Sequence, residues 1–358
     1  MLLLHTISPI FLLTGLVFST AAKPLQNSTI AAGSWTAVAP ITIEPRQEHS
    51  SVKFDNDTIY ILGGTYPLTN GGYPTVTTAQ KYTISSDTWV IVADLPMPLN
   101  HANSAVVNGK IYVLGGLTTT NDTFLWNATR ASFEYDPKVN KWTRICDLPA
   151  GREIGSAVVA VRGSTIYLAG GQTNLSLIIG AEGTSSLFTS YNVITKQFSF
   201  LPDMPEPRDH AGVGLVAEKL YVLGGRAYQQ NNTKDTVFSY DFYKGSWSTG
   251  LASMPTGRAG CSSGVIGQQI FTFGGEGDQV TTTGVFPQTQ AYDTVTDSWT
   301  DYLNMDVPRH GTAGVAIGNR VYIAGGGVMS GPRPTNFTSY FQLSAVETLG
   351  KRYGTVLS

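Results

Sequence analysis

Apolar residues recur along the chain in short runs that each end in a pair of glycines. The runs occupy 59–62, 111–114, 166–169, 220–223, 270–273 and 321–324. They are rich in aliphatic, β-branched and aromatic residues and are bounded by turn residues, which is typical of strands buried on both faces. Successive glycine pairs are 50 to 55 residues apart. This spacing predicts an array of small all-β units that bury their faces against one another.

A second spacing follows each of the first five glycine pairs: an aromatic residue and, seven positions later, another. The pairs are Tyr82 with Trp89, Tyr135 with Trp142, Tyr191 with Phe198, Tyr240 with Trp247, and Tyr292 with Trp299. Turn-forming residues such as Asp136-Pro137 and Lys244-Gly245 lie between the two aromatic residues. The spacing predicts a hairpin whose second strand places the Trp in the packing between neighbouring units.

The sixth unit lacks its own downstream Trp, since none follows Gly326. Trp35 lies upstream of the first unit and precedes Pro45-Arg46, much as Trp299 precedes Pro308-Arg309. We therefore predict that a strand at 34–38 completes the last unit and closes a six-bladed β-propeller without an open edge. The predicted divisions are a signal peptide over 1–22, an N-terminal tail over 23–33, the propeller over 34–345 and a C-terminal tail over 346–358.

These motifs resemble the kelch-repeat family: an Arg at the blade entrance, a strand ending in Gly-Gly, then Tyr-Asp and Trp, as at Tyr135-Asp136 and Tyr240-Asp241. The resemblance covers nearly the whole predicted mature chain and implies a six-bladed kelch propeller. Function stays open, because the family includes substrate-binding adaptors, actin-associated proteins, a secreted sialic acid mutarotase, nitrile-specifier proteins and the copper enzyme galactose oxidase. Galactose oxidase has seven blades and a Cys-Tyr copper site that this chain does not match. The iron-binding pattern of the nitrile-specifier proteins is not evident.

The N-terminal segment predicts export. Residues 2–18 are mostly apolar, and small residues precede the first charge, Lys23. This pattern is typical of a secretory signal peptide, with a signal anchor as the alternative. No later run is long enough to span a bilayer. A formal net charge of −2 without a basic cluster argues against nucleic-acid and membrane partners. We expect a secreted monomer.

Seven glycosylation sequons support export: Asn27, Asn56, Asn121, Asn127, Asn174, Asn231 and Asn336. Five of them follow a glycine pair and precede the next Tyr, so we expect them in the loops between the second and third strands of the blades. Glycans there would hinder a large partner and admit a small molecule. Cys146 and Cys261 come from different blades, and we expect both to be unpaired, buried thiols.

Candidate binding chemistry gathers at the blade entrances and directly after the glycine pairs, which face the central axis in kelch propellers. Acids, bases and aromatic residues around a concave mouth suit a small polar ligand such as a sugar. The candidate ligand-binding residues are Glu48, His101, Arg152, Arg208, Asp209, Arg226, Tyr228, Arg258, Arg309 and His310, with Asp278 beside them. For the entrance arginines there is a competing interpretation, in which they fasten one blade to the next.

Catalysis is an alternative to binding alone. The resemblance to the mutarotase implies isomerisation, or cyclisation of a secreted metabolite, with Glu153, Glu276 or His210 as acid and base. Arg226 or Arg208 would then hold a substrate carboxylate. A structural or wall-associated role is the third alternative. We expect no cofactor and no metal, because the histidines come from different blades and the ligands of a metal must meet at one point.

Overall fold

Each blade forms an antiparallel sheet, and in all but the last blade the strands follow one another in chain order from the axis outward. The computed structural model describes residues 32–66, 72–119 and 124–344, and within these ranges the fold is all-β. The predicted signal peptide, the C-terminal tail, Asn27 and Asn121 lie outside the described residues. The described ranges contain no helix that is long and apolar enough to cross a membrane.

The described residues contain 26 strands, of which 24 build the six blades. The first, β1 (Gly33–Val38), belongs to the last blade. Blade 1 contains β2 (Ser50–Lys53), β3 (Thr58–Leu62), β4 (Ala79–Thr83) and β5 (Thr88–Ile91). Blade 2 contains β6 (Ser104–Val107), β7 (Lys110–Thr119), β8 (Leu125–Asp136) and β9 (Lys141–Arg144). Blade 3 contains β10 (Val158–Arg162), β11 (Thr165–Ala169), β14 (Phe188–Asn192) and β15 (Gln197–Leu201).

The remaining blades repeat this order. Blade 4 contains β16 (Gly212–Val216), β17 (Lys219–Leu223), β18 (Val237–Asp241) and β19 (Ser246–Ser248). Blade 5 contains β20 (Ser262–Ile266), β21 (Gln269–Phe273), β22 (Thr289–Asp293) and β23 (Ser298–Tyr302). Blade 6 contains β24 (Gly314–Ile317), β25 (Arg320–Ala324), β26 (Thr338–Leu343) and β1. The innermost strands β2, β6, β10, β16, β20 and β24 contact one another in a closed ring.

The N-terminal strand closes the ring, as predicted. β1 pairs antiparallel with β26, and Trp35 lies opposite Phe341. The Trp35 ring contacts Phe273 of blade 5 at a centroid distance of 5.5 Å, and its Nε1 donates a hydrogen bond to the Leu303 carbonyl at 3.1 Å. One tryptophan therefore joins the first strand of the chain to the fifth and sixth blades.

The glycine pairs allow neighbouring blades to approach closely. Gly63 has a φ of +62°, and a Cβ at this position would lie 2.0 Å from the carbonyl oxygen of Leu99 at the entrance of blade 2. A side chain would meet both the positive φ and the neighbouring backbone, so only glycine fits. The close approach lets the N–H of Gly64 donate to the Leu99 carbonyl at 2.8 Å.

In blades 1, 2 and 5, the Tyr-to-Trp hairpin is hydrogen-bonded to the segment that leads in from the preceding blade. Tyr82 and Trp89 are direct cross-strand partners. The Tyr82 hydroxyl donates to Asp87 Oδ1 at 2.6 Å, and the same oxygen accepts the Ala39 N–H at 2.8 Å. Trp89 Nε1 donates to the Ala39 carbonyl at 2.9 Å. The same contacts recur in blade 2 with Asn140 and in blade 5 with Asp297.

One loop departs from the predicted pattern. The segment after the glycine pair of blade 3 forms β12 (Gln172–Ser176) and β13 (Glu182–Thr184), and β12 pairs with β8 of blade 2. Asn174 lies directly opposite Asn127 in this pairing. The expectation that both sequons occupy loops is therefore wrong. Asn56 lies exposed in the turn between β2 and β3, and Asn231 and Asn336 are exposed in loops.

Cys146 and Cys261 are both unpaired, as expected. Cys261 is buried, and Cys146 is exposed, which corrects the expectation of two buried thiols. Cys146 Sγ lies 3.5 Å from the hydroxyl of Tyr191, in the blade where Lys196 replaces the Asp or Asn acceptor of the hairpin.

Candidate functional site

Six equivalent residues, one from each blade, form a ring around the axis, and we call this set the axial ring. Its members are Glu48, His101, Ser156, His210, Gly260 and Gly311. All six have left-handed backbone conformations, with φ between +49° and +63°. Five successive links are N–H to carbonyl hydrogen bonds of 2.7 to 2.9 Å, and His210 N–H donates to Ser156 Oγ at 3.3 Å to complete the circle.

The axial ring is chemically uneven. Blades 3, 5 and 6 contribute Ser156, Gly260 and Gly311, whereas blades 1, 2 and 4 contribute a carboxylate and two imidazoles. Because the ring is held by backbone groups, the small residues show that closure does not require a large side chain. The small residues also leave space on their side of the axis, into which Glu48, His101 and His210 project.

Glu48, His101 and His210 meet at one point. His101 Nε2 lies 3.0 Å from Glu48 Oε2 and 2.8 Å from His210 Nε2. His210 Nε2 lies 3.9 Å from the same Glu48 oxygen. All three side chains are buried. We expected no metal because the histidines come from different blades; that geometric reason is wrong, since the ring is narrow enough for two of them to touch.

The outer nitrogen of each imidazole has a fixed partner. His210 Nδ1 lies 2.7 Å from Asp209 Oδ1, and His101 Nδ1 lies 2.7 Å from Asn100 Oδ1. The Asn100 amide nitrogen donates to Thr75 Oγ1, so its oxygen is the acceptor for His101. Both Nδ1 atoms therefore carry a hydrogen, and the Nε2 atom of each imidazole is on the side of Glu48.

Arg226 is the centre of a second, adjoining network. It is brought to the axis by a bridge between its backbone and that of Asp209. Its guanidinium contacts Glu182 at 2.6 Å, Asp209 at 3.3 Å and the carboxylate of Glu276. All four side chains are buried. Nη2 of Arg226 also lies 3.4 Å from His210 Nε2, so the two networks touch.

His310 completes the cluster on the side of blade 6. Its Nε2 lies 2.8 Å from the Met329 carbonyl and therefore carries the hydrogen. Its Nδ1 makes no hydrogen bond to any described residue and faces two carboxylates, Glu276 Oε2 at 3.6 Å and Glu48 Oε1 at 4.0 Å. This nitrogen therefore lies beside two carboxylates.

The electrostatics favour ionised carboxylates at the axis. Burial alone would raise the pKa of Glu48, but His101, His210 and His310 hold it well below its usual range. Burial would also raise the pKa of Glu276, but His310 and Arg226 lower it to about 2. Burial and the nearby Arg226 lower the pKa of His210, which favours the neutral imidazole. Neutral imidazoles can accept a proton or bind a cation.

Glu182 behaves differently from the other carboxylates. Burial, reinforced by the adjacent Asp209, raises the pKa of Glu182 to about 8 in spite of the contact with Arg226. Burial would lower the pKa of the Arg226 guanidinium, but Glu276, Glu182 and Asp209 together raise it. Arg226 is therefore a permanent cation that its own neighbours already neutralise.

A cavity of about 300 Å³ begins at the axial ring and follows the first residues of the innermost strands. Its wall carries Glu48, His101 and His210 at one end. Hydroxyl and amide groups from several blades line the rest: Ser50, Ser51, Asn103, Ser104, Ser156, Ser263 and Thr312. Arg226, Glu276 and His310 are not part of this wall.

The opposite side of the ring is covered. We expected an open mouth on the face of the loops that follow the glycine pairs. Among the described residues, Trp126, Leu175, Leu177 and Pro332 lie over the cluster there and leave a void of about 20 Å³, the size of one water molecule. Trp126 is buried, and Leu117, Trp126 and Leu175 form an apolar cluster. Glu48, His101 and His210 are thus reached from the 300 Å³ cavity, which we call the channel, rather than from the predicted mouth.

Two predicted site residues lie away from the axis. Arg152 stacks on the ring of Phe200 at 4.3 Å, and the Glu153 carboxylate lies 3.9 Å from Arg130. The Arg-acid pair Arg152-Glu153 resembles Arg208-Asp209, but the structural equivalents of Arg208-Asp209 in blade 3 are Ile154 and Gly155, because Ser156 occupies the axial ring. The shift of two residues removes Glu153 from the candidate acid-base residues.

The entrance arginines are bonded within the blades that they enter. Arg258 donates to the Gln288 carbonyl, Thr272 Oγ1 and Gln290 Oε1 of blade 5 at 2.9 to 3.2 Å. Arg309 donates to the carbonyls of Val307 and Ile323 and to Ser339 Oγ. Arg208 bonds Glu206 and Thr236 in the same way. All three guanidinium groups are used within the fold, which argues against ligand binding, and these side-chain contacts stay within one blade instead of joining one blade to the next.

Two further candidates lie at the loop surface. Tyr228 is 52% exposed, and its N–H donates to Thr184 Oγ1 at 2.7 Å. Asp278 accepts the N–H of Val280 at 2.8 Å and caps its own loop. Asp278 lines an open depression with Gly180, Gln230 and Ser330. Neither side chain reaches the cavity at the axis.

The sequence did not predict four residues that build the site: Asn100, Ser156, Glu182 and Trp126. Asn100 and Ser156 are ordinary polar residues whose importance follows from their position in the repeat. Counting back 16 residues from the first glycine of the pair reaches Leu99, Ile154, Arg208, Arg258 and Arg309. Asn100 lies one residue after Leu99, and Ser156 lies two residues after Ile154, so this count would have found both. No local sequence pattern marks Glu182, which lies on β13, or Trp126, which lies at the start of β8.

Comparisons with known proteins agree with the fold. The family model described as "KLHDC2/KLHL20/DRC7 Kelch-repeats domain" matches residues 146–326, and the model described as "Kelch motif" matches residues 98–149. The Kelch-like protein terF of Aspergillus terreus is 44% identical over 320 residues, which are 88% of this chain and 69% of that protein. Alpha-scruin of Limulus polyphemus is 27% identical over 69% of this chain and 27% of its own length.

A solved structure of YjhT superposes with a TM-score of 0.66 at 20% identity, covering 82% of this chain and 94% of that one. This likeness concerns the fold alone. The kelch-repeat matches, terF and the six observed blades agree with the resemblance inferred from the repeat motifs. The chain belongs to the kelch-repeat family.

Proposed function

We propose that the channel cavity binds a small polar molecule, such as a sugar, against Glu48, His101 and His210. The main support for this proposal is that only three of the six axial-ring positions have ionisable side chains. Burying an ionisable group costs several kcal/mol unless it is well paired. Gly260, Gly311 and Ser156 hold the same backbone ring without this cost. The carboxylate and imidazoles at the other three positions therefore serve something other than ring closure.

The cavity wall suits a polyol. A volume of about 300 Å³ lies at the lower end of the range of small-molecule sites. Hydroxyl groups such as those of Ser51, Ser156 and Ser263 can exchange hydrogen bonds with ligand hydroxyls, while Val159 and Val213 offer apolar contacts. Because Arg226 lies outside the wall and is neutralised by three carboxylates, we favour a neutral sugar over a sugar acid.

Thermal-shift titration tests this proposal, because a ligand that binds only the native state raises the melting temperature. The probes are galactose, glucose, mannose and xylose, with glucuronate and N-acetylneuraminate as acidic counterparts. A shift with a neutral sugar that is lost in Glu48→Gln and His210→Asn supports the proposal. Arg152→Gln, which lies outside the cavity, keeps the shift. A shift that persists in both cavity variants overturns the assigned site, and no shift with any probe overturns the sugar class.

Proton transfer to the ligand is a second candidate function, favoured by the 3.0 Å contact between Glu48 and His101 at the cavity wall. A carboxylate and an imidazole could exchange protons with the ring oxygen and the anomeric hydroxyl of a sugar, as mutarotation requires. Nuclear magnetic resonance of a freshly dissolved α-anomer would measure the rate. A rate enhancement by the wild type that is lost in Glu48→Gln and kept in Arg152→Gln favours catalysis, and equal rates with and without wild-type protein exclude it.

We also propose that the chain is secreted and glycosylated, with Asn56, Asn231 and Asn336 as the sites best supported by exposure. Asn127 and Asn174 face each other across paired strands, so one occupied site would crowd the other. Expression in a secreting eukaryotic host followed by glycopeptide mass spectrometry tests both points. Protein retained in the cell, or bare asparagines at all three sites, would contradict the proposal.

A further inference from the structure

We propose that Glu48, His101 and His210 form a binding site for one divalent transition-metal ion, with Zn²⁺ as the best match. This inference goes beyond ligand binding in the cavity and stands without it. Among the described residues, these three are the group of His, Cys, Asp and Glu side chains whose ligand atoms converge closely enough to hold a metal.

The hydrogen-bonding partners of the imidazoles leave their two Nε2 atoms facing each other. Asp209 and Asn100 hold the Nδ1 hydrogens of His210 and His101, so the Nε2 atoms, 2.8 Å apart, are the positions left for a proton or a metal ion. The Glu48 oxygen 3.0 Å from His101 Nε2 is a third potential ligand atom. Three such atoms this close together need a positive charge among them, which a proton on one imidazole or a metal ion bound by all three would supply. A carboxylate or amide behind each imidazole is also the usual support for a metal-bound histidine.

The spacing of the three atoms agrees with metal coordination. Zinc bonds to nitrogen and carboxylate oxygen at roughly 2.0–2.2 Å, which places the ligand atoms of a tetrahedral site about 3.3 Å apart. The three observed separations, 2.8, 3.0 and 3.9 Å, bracket that value. Small side-chain rotations would equalise them. Gln47 Nε2 lies 3.2 Å from Glu48 Oε1 and steadies the carboxylate from behind.

The charges around the site call for a cation. Glu48, Asp209 and Glu276 are three buried carboxylates, and the guanidinium of Arg226 contacts two of them, Asp209 and Glu276. The Nδ1 of His310, which has no hydrogen-bond partner among the described residues, also faces Glu48 and Glu276. A divalent ion beside Glu48 would offset much of this excess, since buried charges in proteins are paired or coordinate metals.

The donor set and its surroundings identify the kind of ion. Two imidazoles and one carboxylate suit zinc and neighbouring first-row ions, whereas Mg²⁺ and Ca²⁺ prefer oxygen ligands. The same three side chains line the 300 Å³ cavity, so at least one coordination position would face the channel. Three protein ligands with an open position are typical of catalytic rather than structural zinc sites.

Metal binding by tag-free protein tests the inference directly. The protein is stripped with a chelator, exchanged into chelator-free buffer and titrated with Zn²⁺ by calorimetry and with Co²⁺ by visible absorption. We expect one ion per chain. Glu48→Gln and His210→Asn should weaken Zn²⁺ binding by about 100-fold or more, and Asp209→Asn by about 10-fold to 100-fold through loss of support for His210. Cys146→Ser, which removes the exposed thiol, should bind as the wild type does.

Circular dichroism and melting curves establish that each variant is folded. If a variant does not fold, the wild-type Co²⁺ spectrum decides: bands of a nitrogen and oxygen ligand set support the site, and a thiolate charge-transfer band overturns it. Absence of stoichiometric Zn²⁺ binding by the wild type, or unchanged binding in folded Glu48→Gln and His210→Asn, also overturns it. The sugar titration does not enter these outcomes, so failure of the ligand proposal and failure of the metal proposal are distinguishable.

Discussion

The Nε2 atoms of His101 and His210 lie 2.8 Å apart although the two residues are separated by 109 positions in the chain. They come from blades 2 and 4, and Ser156 of blade 3 lies between them in the axial ring. Because Ser156 is small, the two imidazoles reach each other across its position. The side-chain size at one ring position thus decides which groups can meet at the axis.

Arg226 should be essential for stability. Replacing it with Gln leaves Glu182, Asp209 and Glu276 buried without their cation, and removal of one partner from a buried ion pair costs about 3–5 kcal/mol. Arg152→Gln is the control, because Arg152 stacks at the surface on Phe200. Urea denaturation measures the free energy of unfolding of both variants. Equal losses would show that the buried network contributes nothing beyond an ordinary surface arginine.

Trp35 should hold the ring closed. The Trp35→Ala substitution removes the contacts with Phe273 and Phe341 and the hydrogen bond to Leu303. Large-to-small substitutions of buried aromatic residues cost about 3–5 kcal/mol, and Trp35 is only partly buried, so we expect about 2–3 kcal/mol. Thr36→Ala, on the exposed side of the same strand, is the control. A melting temperature unchanged in Trp35→Ala would contradict closure by β1.

The hydrogen bonds that hold the hairpin of blade 1 should depend on the Asp87 carboxylate. Asp87→Ala removes the acceptor for both the Tyr82 hydroxyl and the Ala39 N–H, and we expect a loss of about 1–3 kcal/mol. Asp87→Asn should be milder, because Asn140 fills this position in blade 2. Asp87 has a φ of +51°, so Asp87→Gly separates loss of the acceptor from backbone strain. Equal stability of the Ala and Asn variants in urea denaturation would show that the acceptor is not needed.

Stability should fall in alkaline solution. Burial and the hydrogen bonds to Asp87 and Asp297 raise the pKa of Tyr82 and Tyr292, and burial raises the pKa of Tyr60 to about 12. Tyrosine in the unfolded chain titrates near about pH 10. Above that pH the unfolded state loses protons that the native state retains, so stability decreases as pH rises and is unaffected below it.

Urea denaturation between about pH 9 and about pH 11.5 measures this slope. Tyr82→Phe and Tyr292→Phe should each flatten it by one proton, because each removes one group that titrates only after unfolding. Tyr243→Phe is the control, since Tyr243 is 79% exposed. An identical slope in the wild type and the double variant would contradict the assignment of alkaline unfolding to the hairpin tyrosines.

The features that the sequence predicted correctly depend on local spacing. In five blades the glycine pair ends a strand, whereas β7 of blade 2 continues through Gly115 and Gly116 with a shift of register; all six pairs have positive φ. The seven-residue interval fits one hairpin whose aromatic residues are cross-strand partners. Closure by Trp35 followed from counting the same interval and finding one member missing. Such features repeat in every blade, so an error in one blade is corrected by the others.

The features that the sequence did not predict depend on non-repeating geometry. Glu153 was misplaced because we aligned blade 3 on its arginine rather than on its glycine pair. Glu182 reaches Arg226 only because β12 and β13 dock against blade 2, which no local pattern encodes. The convergence of His101, His210 and Glu48 depends on the radius of the ring, and that radius is a property of all six blades together.

The glycines of the axial ring offer a matched pair of substitutions. Gly311 and Gly260 have nearly the same φ, +61° and +63°, so alanine at either position carries the same backbone strain of about 1–2 kcal/mol. A Cβ at Gly311 would lie 2.2 Å from Glu48 Oε1, whereas at Gly260 the nearest atom is the Gly311 nitrogen at 3.3 Å. Gly311→Ala must therefore displace the Glu48 carboxylate, and Gly260→Ala need not.

We expect Gly311→Ala to weaken Zn²⁺ binding about 10-fold or more relative to Gly260→Ala, because a displaced ligand loses the geometry on which metal affinity depends. Calorimetric titration of both variants measures the difference, and urea denaturation shows whether they share the same loss of stability. If the two variants bind Zn²⁺ equally while Gly311→Ala is the less stable, the Glu48 carboxylate fits tightly against the ring without serving as a metal ligand.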